Sequence, residues 1–130
     1  FASEQMQRRF HRICKRGERL RQLSAQDRHK LRIQVKKLRY GAEFFGQLFR
    51  TKKAVKRQNK FASALKQFQK GLGDLNDIAV DERLIATLGP PNSAFAAGLL
   101  TGHEEARESE AMVTAIEGYT KLAKVKPFWR

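Results

Sequence analysis

Four side chains at three- and four-residue intervals, His29, Arg32, Lys36 and Arg39, form the pattern in this chain most suited to chemistry. On a helix turning 100° per residue they fall within an arc of about 80° and extend about 15 Å along the axis. Cations at successive helical turns suit a linear anion with evenly spaced charges. Arginine forks onto two phosphate oxygens and lysine supplies a movable point charge. Histidine adds a donor and gains charge as pH falls. The theme recurs in Arg8, Arg12, Lys15 and Arg19, with Arg9 and Arg16 as a shoulder toward the core side. Lys56, Lys60 and Lys70 add a third set on one broad face. A basic helix face is ordinarily just solvated. Here the rows recur on three segments, and few acids on those segments neutralise them.

The net charge is +14 and the sequence pI about 10.5. Residues 1–70 hold 21 Lys/Arg against 4 Asp/Glu, a net of +17, whereas residues 71–130 hold 6 against 9, a net of −3. Self-repulsion of that size disfavours a compact state, and a bound polyanion relieves it. The charge pattern therefore points to a face that holds a phosphate-rich polyanion.

Other chemistries are weakly represented. Asp74, Asp77 and Asp81 lie at i, i+3 and i+7, a spacing that could hold Mg²⁺ against a phosphate. Pairing with the arginines of the second helix, plus local capping by Asn76 and Asp77 near Gly73, is the simpler expectation for them. Glu43 is expected to pair with Arg39, four residues earlier. His11, His29 and His103 show no i, i+4 pairing and none is near Cys14, so there is no zinc pattern. No nucleophile elbow, phosphate-cradling loop or dinucleotide turn is present, so neither an enzyme nor a cofactor is expected. Gly71 and Gly73 fit a close helix crossing or a kink. The cation rows lack interleaved aromatics apart from Tyr40 at one edge, which disfavours recognition of nucleic-acid bases.

The elements that must position these residues read as four helices. The first spans about Glu4 to Leu20, with Met6, Phe10, Ile13, Gly17 and Leu20 on one side. The second spans about Ala25 to Phe49, opened by Ser24 and Asp27 as a capping box. It has two apolar faces: Leu31, Val35, Leu38, Ala42, Phe45 and Phe49 on one, Ile33, Tyr40 and Phe44 on the other. The basic row lies in the seam between them, while Lys30 and Lys37 point to solvent. Since an ordinary surface helix has one apolar stripe, the second face predicts packing against something beyond this bundle. The third helix runs from about Lys53 to Leu88 on an apolar face of Phe61, Leu65, Phe68, Leu72, Leu75 and Ala79. Gly89-Pro90-Pro91 stops it. The fourth starts near Asn92 or Ser93 and reaches Val125, with a break expected at Thr101-Gly102. Phe128 and Trp129, after Pro127, are expected to dock as a plug. Hydrophobic residues make up 41% of the chain, enough for a core, and no apolar run reaches membrane-span length. The economical architecture is all-α, an up-and-down four-helix bundle.

The run His29-Lys30-Leu31-Arg32-Ile33-Gln34-Val35-Lys36-Lys37-Leu38-Arg39-Tyr40 resembles the signature of the CHAD family, the conserved histidine α-helical domain. Leu72-Gly73-Asp74-Leu75-Asn76-Asp77 and the terminal Pro127-Phe128-Trp129 follow in that family's order and spacing. The resemblance implies a helical domain of two similar four-helix halves around a basic central groove that binds inorganic polyphosphate. Some members are fused to CYTH-type triphosphatase domains. This version of the signature is similar to the C-terminal half, so residues 1–130 correspond to a single helical bundle. The family signature carries over onto His29, Arg32, Lys36 and Arg39. Tyr40 and Asp77 also match and are assigned to structural support. Arg8, Arg12, Arg16, Arg19, Lys56 and Lys70 complete the expected polyphosphate-binding set on the helical wheel alone. The implied function is non-catalytic binding of inorganic polyphosphate. Nucleic-acid binding through backbone phosphates, or service as the accessory module of a triphosphatase, is the alternative. The implied partners are the polyphosphate itself and either the N-terminal half of the same domain or a second copy. The implied setting is the cytoplasm, at polyphosphate granules, away from membranes.

Overall fold

Helical periodicity in the sequence becomes four α-helices in the computed structural model, which describes residues 2–88 and 94–129. They are α1 (Ala2–Gly17), α2 (Ala25–Gly46), α3 (Lys52–Leu88) and α4 (Ala94–Lys124), with a 3-10 turn at Leu20–Gln22. No strand occurs among the described residues. α3 lies along both α4 and α2, while α1 packs on α2 and α4. Cross-helix contacts run in opposite numerical order, as His29 with Asn76 and Arg39 with Gln69, or Gln67 with Glu117 and Asp81 with Arg107. Neighbouring helices are therefore antiparallel, giving the expected up-and-down bundle. At 1.5 Å per residue α3 is about 55 Å long and α1 about 24 Å. The longer pair consequently overreaches the shorter one. Core burial stops at Ile78 on α3 and Ala111 on α4, and Val80, Leu84, Phe95 and Leu99 beyond them are exposed.

The expected apolar faces form the core, except that on α3 Ile78 is buried and Ala79 is only half-buried. Met6, Phe10, Ile13 and Leu20 bury against Leu31, Val35 and Leu38, and against Phe61, Leu65, Phe68, Leu72 and Leu75. Phe128 and Trp129 are buried as the expected plug. Their rings meet Phe61 edge-on at centroid distances of 5.7 and 5.2 Å. The indole N–H of Trp129 donates to Gln7 Oε1 at 3.2 Å, so its polar edge is satisfied inside the plug. α2 begins where the Ser24 hydroxyl accepts from the Asp27 backbone N–H at 3.1 Å.

Some boundaries differ from expectation. α1 ends at Gly17, and the chain tightens into the 3-10 turn that still buries Leu20. α2 ends at Gly46, leaving Phe49 to pack against Phe128 from outside the helix. α4 passes through Thr101-Gly102 without a break. A lone glycine costs a helix only about 1 kcal/mol, and no neighbouring atom wedges in at Gly102. The expected stop at Gly89-Pro90-Pro91 and the start at Asn92 or Ser93 lie outside the described residues.

α3 and α4 cross at backbone contact. A Cβ on Gly71 would collide with the Ala115 backbone, and one on Gly118 with the Phe68 backbone. Gly73 differs: its nearest neighbour would be Arg32 Nε at 3.7 Å, an ordinary contact. Gly71→Ala and Gly118→Ala are each expected to lose stability, since overpacking of about 1–3 kcal/mol outweighs alanine's helical advantage of at most about 1 kcal/mol. Gly73→Ala should be neutral or slightly stabilising. Urea unfolding of the three variants checks this, and equal stability of Gly71→Ala and Gly73→Ala would refute the close crossing.

Candidate functional site

The basic row of α2 faces an uncharged side of α3. Gln69, Gly73 and Asn76 stand at i, i+4 and i+7 on that side, and each meets one member of the row. Asn76 Oδ1 lies 3.1 Å from His29 Nδ1. Gln69 Oε1 accepts from Arg39 Nη1 at 3.1 Å. Gly73 borders Arg32, whose Nε is buried without a hydrogen-bond partner. Lys36 is exposed. Glu43 pairs with Arg39 at 3.5 Å, as expected from their spacing. Amides orient the cations here without cancelling their charge. The Nδ1 side of the His29 ring faces Asn76, which leaves Nε2 on the side away from that contact.

The other sequence-derived candidates are dispersed. Arg16 Nη1 donates to Gln34 Oε1 at 3.3 Å on the opposite flank of α2. Arg12 lines a cavity of about 200 Å³ there with Arg9, Gln34 and Lys37. Lys37 is exposed, as expected, at the rim of this α1–α2 seam. Arg8 borders a cavity beside Trp129, and Arg19 one beside Tyr119. Lys56 lies in the groove between α3 and α4, and Lys70 pairs with Asp74 at 3.0 Å on that same side. Of the ten residues, the structure brings His29, Arg32 and Arg39 against α3, with Lys36 exposed on the same helix. Between the two seams α2 exposes Ile33, Tyr40 and Phe44, at 42%, 59% and 64%. That is the second apolar face.

The carboxylate row is arranged differently from expectation. Asp74 bonds Lys70 of its own helix, and Asp81 bonds Arg107 of α4 at 3.2 Å; neither meets an arginine of α2. The row points toward α4, because the α2-facing side of α3 is taken by Gln69, Gly73 and Asn76. Asn76 reaches His29 rather than capping, and α3 continues unbroken past it. No group of three or more His, Cys, Asp or Glu among the described residues could hold a metal ion. The positioning amides Gln69 and Asn76 escaped the helical wheel. The only available signal was Asn76 within Leu72-Gly73-Asp74-Leu75-Asn76-Asp77.

Burial pushes the Cys14 thiol up to about 11, with Glu18 adding to the shift. Burial likewise raises the Tyr119 hydroxyl, with smaller contributions from Cys14 and Glu18. The thiolate is the reactive form, and a rise from 9.0 to about 11 reduces it roughly a hundredfold at neutral pH. Cys14 should therefore alkylate with iodoacetamide about a hundredfold more slowly in the folded protein than in urea. Equal rates in the two states would contradict the burial.

No helix among the described residues is long and apolar enough to cross a membrane. No curated protein and no solved structure matches the chain. The family model of the CHAD domain matches residues 1–86, taking in α1, α2 and nearly all of α3. α4 and the Pro127-Phe128-Trp129 plug lie beyond the match. The match covers about two thirds of the sequence and contains the whole α2–α3 seam, and the chain belongs to the CHAD family.

Proposed function

We propose that the α2–α3 seam binds inorganic polyphosphate without catalysis. One observation carries this reading. Among the described residues, Arg39 is the only member of the row with a carboxylate partner. Arg32 and Lys36 have no carboxylate partner among the described residues, and His29 meets the neutral amide of Asn76. Such a row meets successive phosphates along an extended chain, with arginine forks binding oxygen pairs. Two carboxylates of the only candidate acidic row are tied to Lys70 and Arg107, which supports positioning rather than hydrolysis. Arg12 and Arg16, across the apolar strip, extend the basic surface beyond the seam. That strip of Ile33, Tyr40 and Phe44 suits the packing of another four-helix half, from the same protein or from a second copy. A triphosphatase domain on the same protein and a location at cytoplasmic polyphosphate granules accord with this reading.

A second reading is favoured by one feature. Tyr40 and Phe44 are exposed beside the cations, and aromatics beside a basic track suit single-stranded nucleic acid.

Polyphosphate titration at low salt tests the first reading with Arg32→Ala combined with Arg39→Ala. Each charge-assisted contact contributes roughly 1.5–3 kcal/mol, so the double variant should bind at least about a hundredfold more weakly. Binding equal to the wild type rejects the seam. Tyr40→Ala with Phe44→Ala should leave polyphosphate binding unchanged; if it abolishes nucleic-acid binding that polyphosphate cannot displace, the second reading replaces the first. Phosphate release from tripolyphosphate with Mg²⁺ would refute the non-catalytic assignment.

A further inference from the structure

A second basic surface lies on the other flank of α3. Lys53, Lys56, Arg57 and Lys60 from the start of α3 face Lys121 and Lys124 from the end of α4, with Lys126 just beyond. These seven cations line an open groove of about 890 Å³, whose remaining lining residues are uncharged. None of them takes part in an ion pair among the described residues. At the groove's edge the Lys121 amine donates to Gln67 Oε1 at 3.0 Å, while the Gln67 amide donates to Glu117 Oε2 at 3.4 Å. Here an amide stands between cation and carboxylate.

The α3 side of this groove has no acids to neutralise it. No Asp or Glu occurs between Glu43 and Asp74, so the cations are not interspersed with acids. Lys121 and Lys124 sit in the last turn of α4, where the helix dipole favours positive charge. Lys52 and Lys53 open α3, where the dipole opposes it, and the first turn carries no acid. Helix-intrinsic electrostatics thus explains the α4 lysines and works against those of α3. Lys53 to Lys60 span about 10 Å along the axis, which again suits an extended polyanion. The groove is distinct from the α2–α3 seam. On the α3 wheel, Lys56 and Lys60 lie about 140–180° from Gln69 and Asn76.

We infer that this α3–α4 groove is a second, independent site for condensed phosphate, so that the chain binds the polyanion on both flanks of α3. The ligand class rests on the function proposed above. No aromatic side chain lines the groove, so base stacking has no platform there, in contrast to the seam with Tyr40.

Tripolyphosphate, short enough to occupy one site at a time, separates the two. Calorimetry and amide NMR titrations would use the full chain as wild type, as Arg32→Ala/Arg39→Ala, and as Lys56→Glu/Lys60→Glu/Lys124→Glu. The three lysines are exposed, and unchanged helical circular dichroism confirms that the variant folds. Two tripolyphosphates per wild-type chain are expected, and one for each variant. In the seam variant the amides of residues 53–63 and 121–126 should shift. If those amides stay still and the lysine variant keeps the wild-type stoichiometry, the groove is not a site while the seam stands. If the seam variant titrates as the wild type does and the groove amides move, the groove stands and the seam is rejected. An absence of heat and shifts in the wild type overturns both.

Discussion

Everything in this bundle is hung from the backbone contact between α3 and α4. Gly71 against Ala115 and Gly118 against Phe68 bring the two longest helices together without side chains between them. That approach fixes the rotation of α3 about its axis. Phe61, Leu65, Phe68, Leu72 and Leu75 then point into the core, and Gln69, Gly73 and Asn76 are left facing α2. Were α3 turned by even one residue, about 100°, the amides would no longer meet His29 and Arg39. The crossing therefore sets the seam, although no residue of the crossing belongs to it.

The seam solves an electrostatic problem in a particular way. Cations in a cleft between helices are usually quieted by carboxylates, which would also cancel their attraction for a ligand. Here α3 offers neutral amides and a glycine, which orient the charged groups and leave their charge intact. Carboxylates are placed instead on the α4 side of α3, where Asp74 and Asp81 meet Lys70 and Arg107. These pairs are half exposed, and exposed pairs contribute little stability. Their placement keeps the carboxylates of α3 off the α2–α3 seam, where Glu43 of α2 itself meets Arg39. The cost is repulsion in the unliganded protein, which the aromatic plug and the long α3–α4 contact must offset.

Much of this was legible in the sequence because helical periodicity encodes angles within a helix. The core faces of α1 and α3, the exposed strip of α2 and the seam row all follow from 3.6-residue spacing. What periodicity does not encode is which neighbour covers which flank. The acid row was expected to meet α2, yet Asp81 meets Arg107, 26 residues later. The cations of α1 looked like part of the same surface as His29. Arg9, Arg12 and Arg16 lie instead on the far side of Ile33, Tyr40 and Phe44, around Gln34, while Arg8 lies beside Trp129 and Arg19 beside Tyr119. Lys56 and Lys70 shared a wheel face with each other but not with the α2-facing side of α3. The break expected at Thr101-Gly102 failed for a different reason. One glycine's penalty is small beside the packing of a 31-residue helix.

The dispersal of cations has a consequence for how a long anion would be held. A single deep cleft lined by all ten residues would concentrate repulsion in one place and would bind a short ligand well. The observed layout spreads positive charge over the α1–α2 seam, the α2–α3 seam and the α3–α4 groove, with helices and an apolar strip as spacers. Charges farther apart than about 8–10 Å are largely screened from one another at moderate salt, so the free protein tolerates them. A flexible polyanion longer than any one surface can still contact several, and its charges add along the chain. Length then becomes the property such a surface selects, because only an extended ligand engages rows that repel each other little across the spacers.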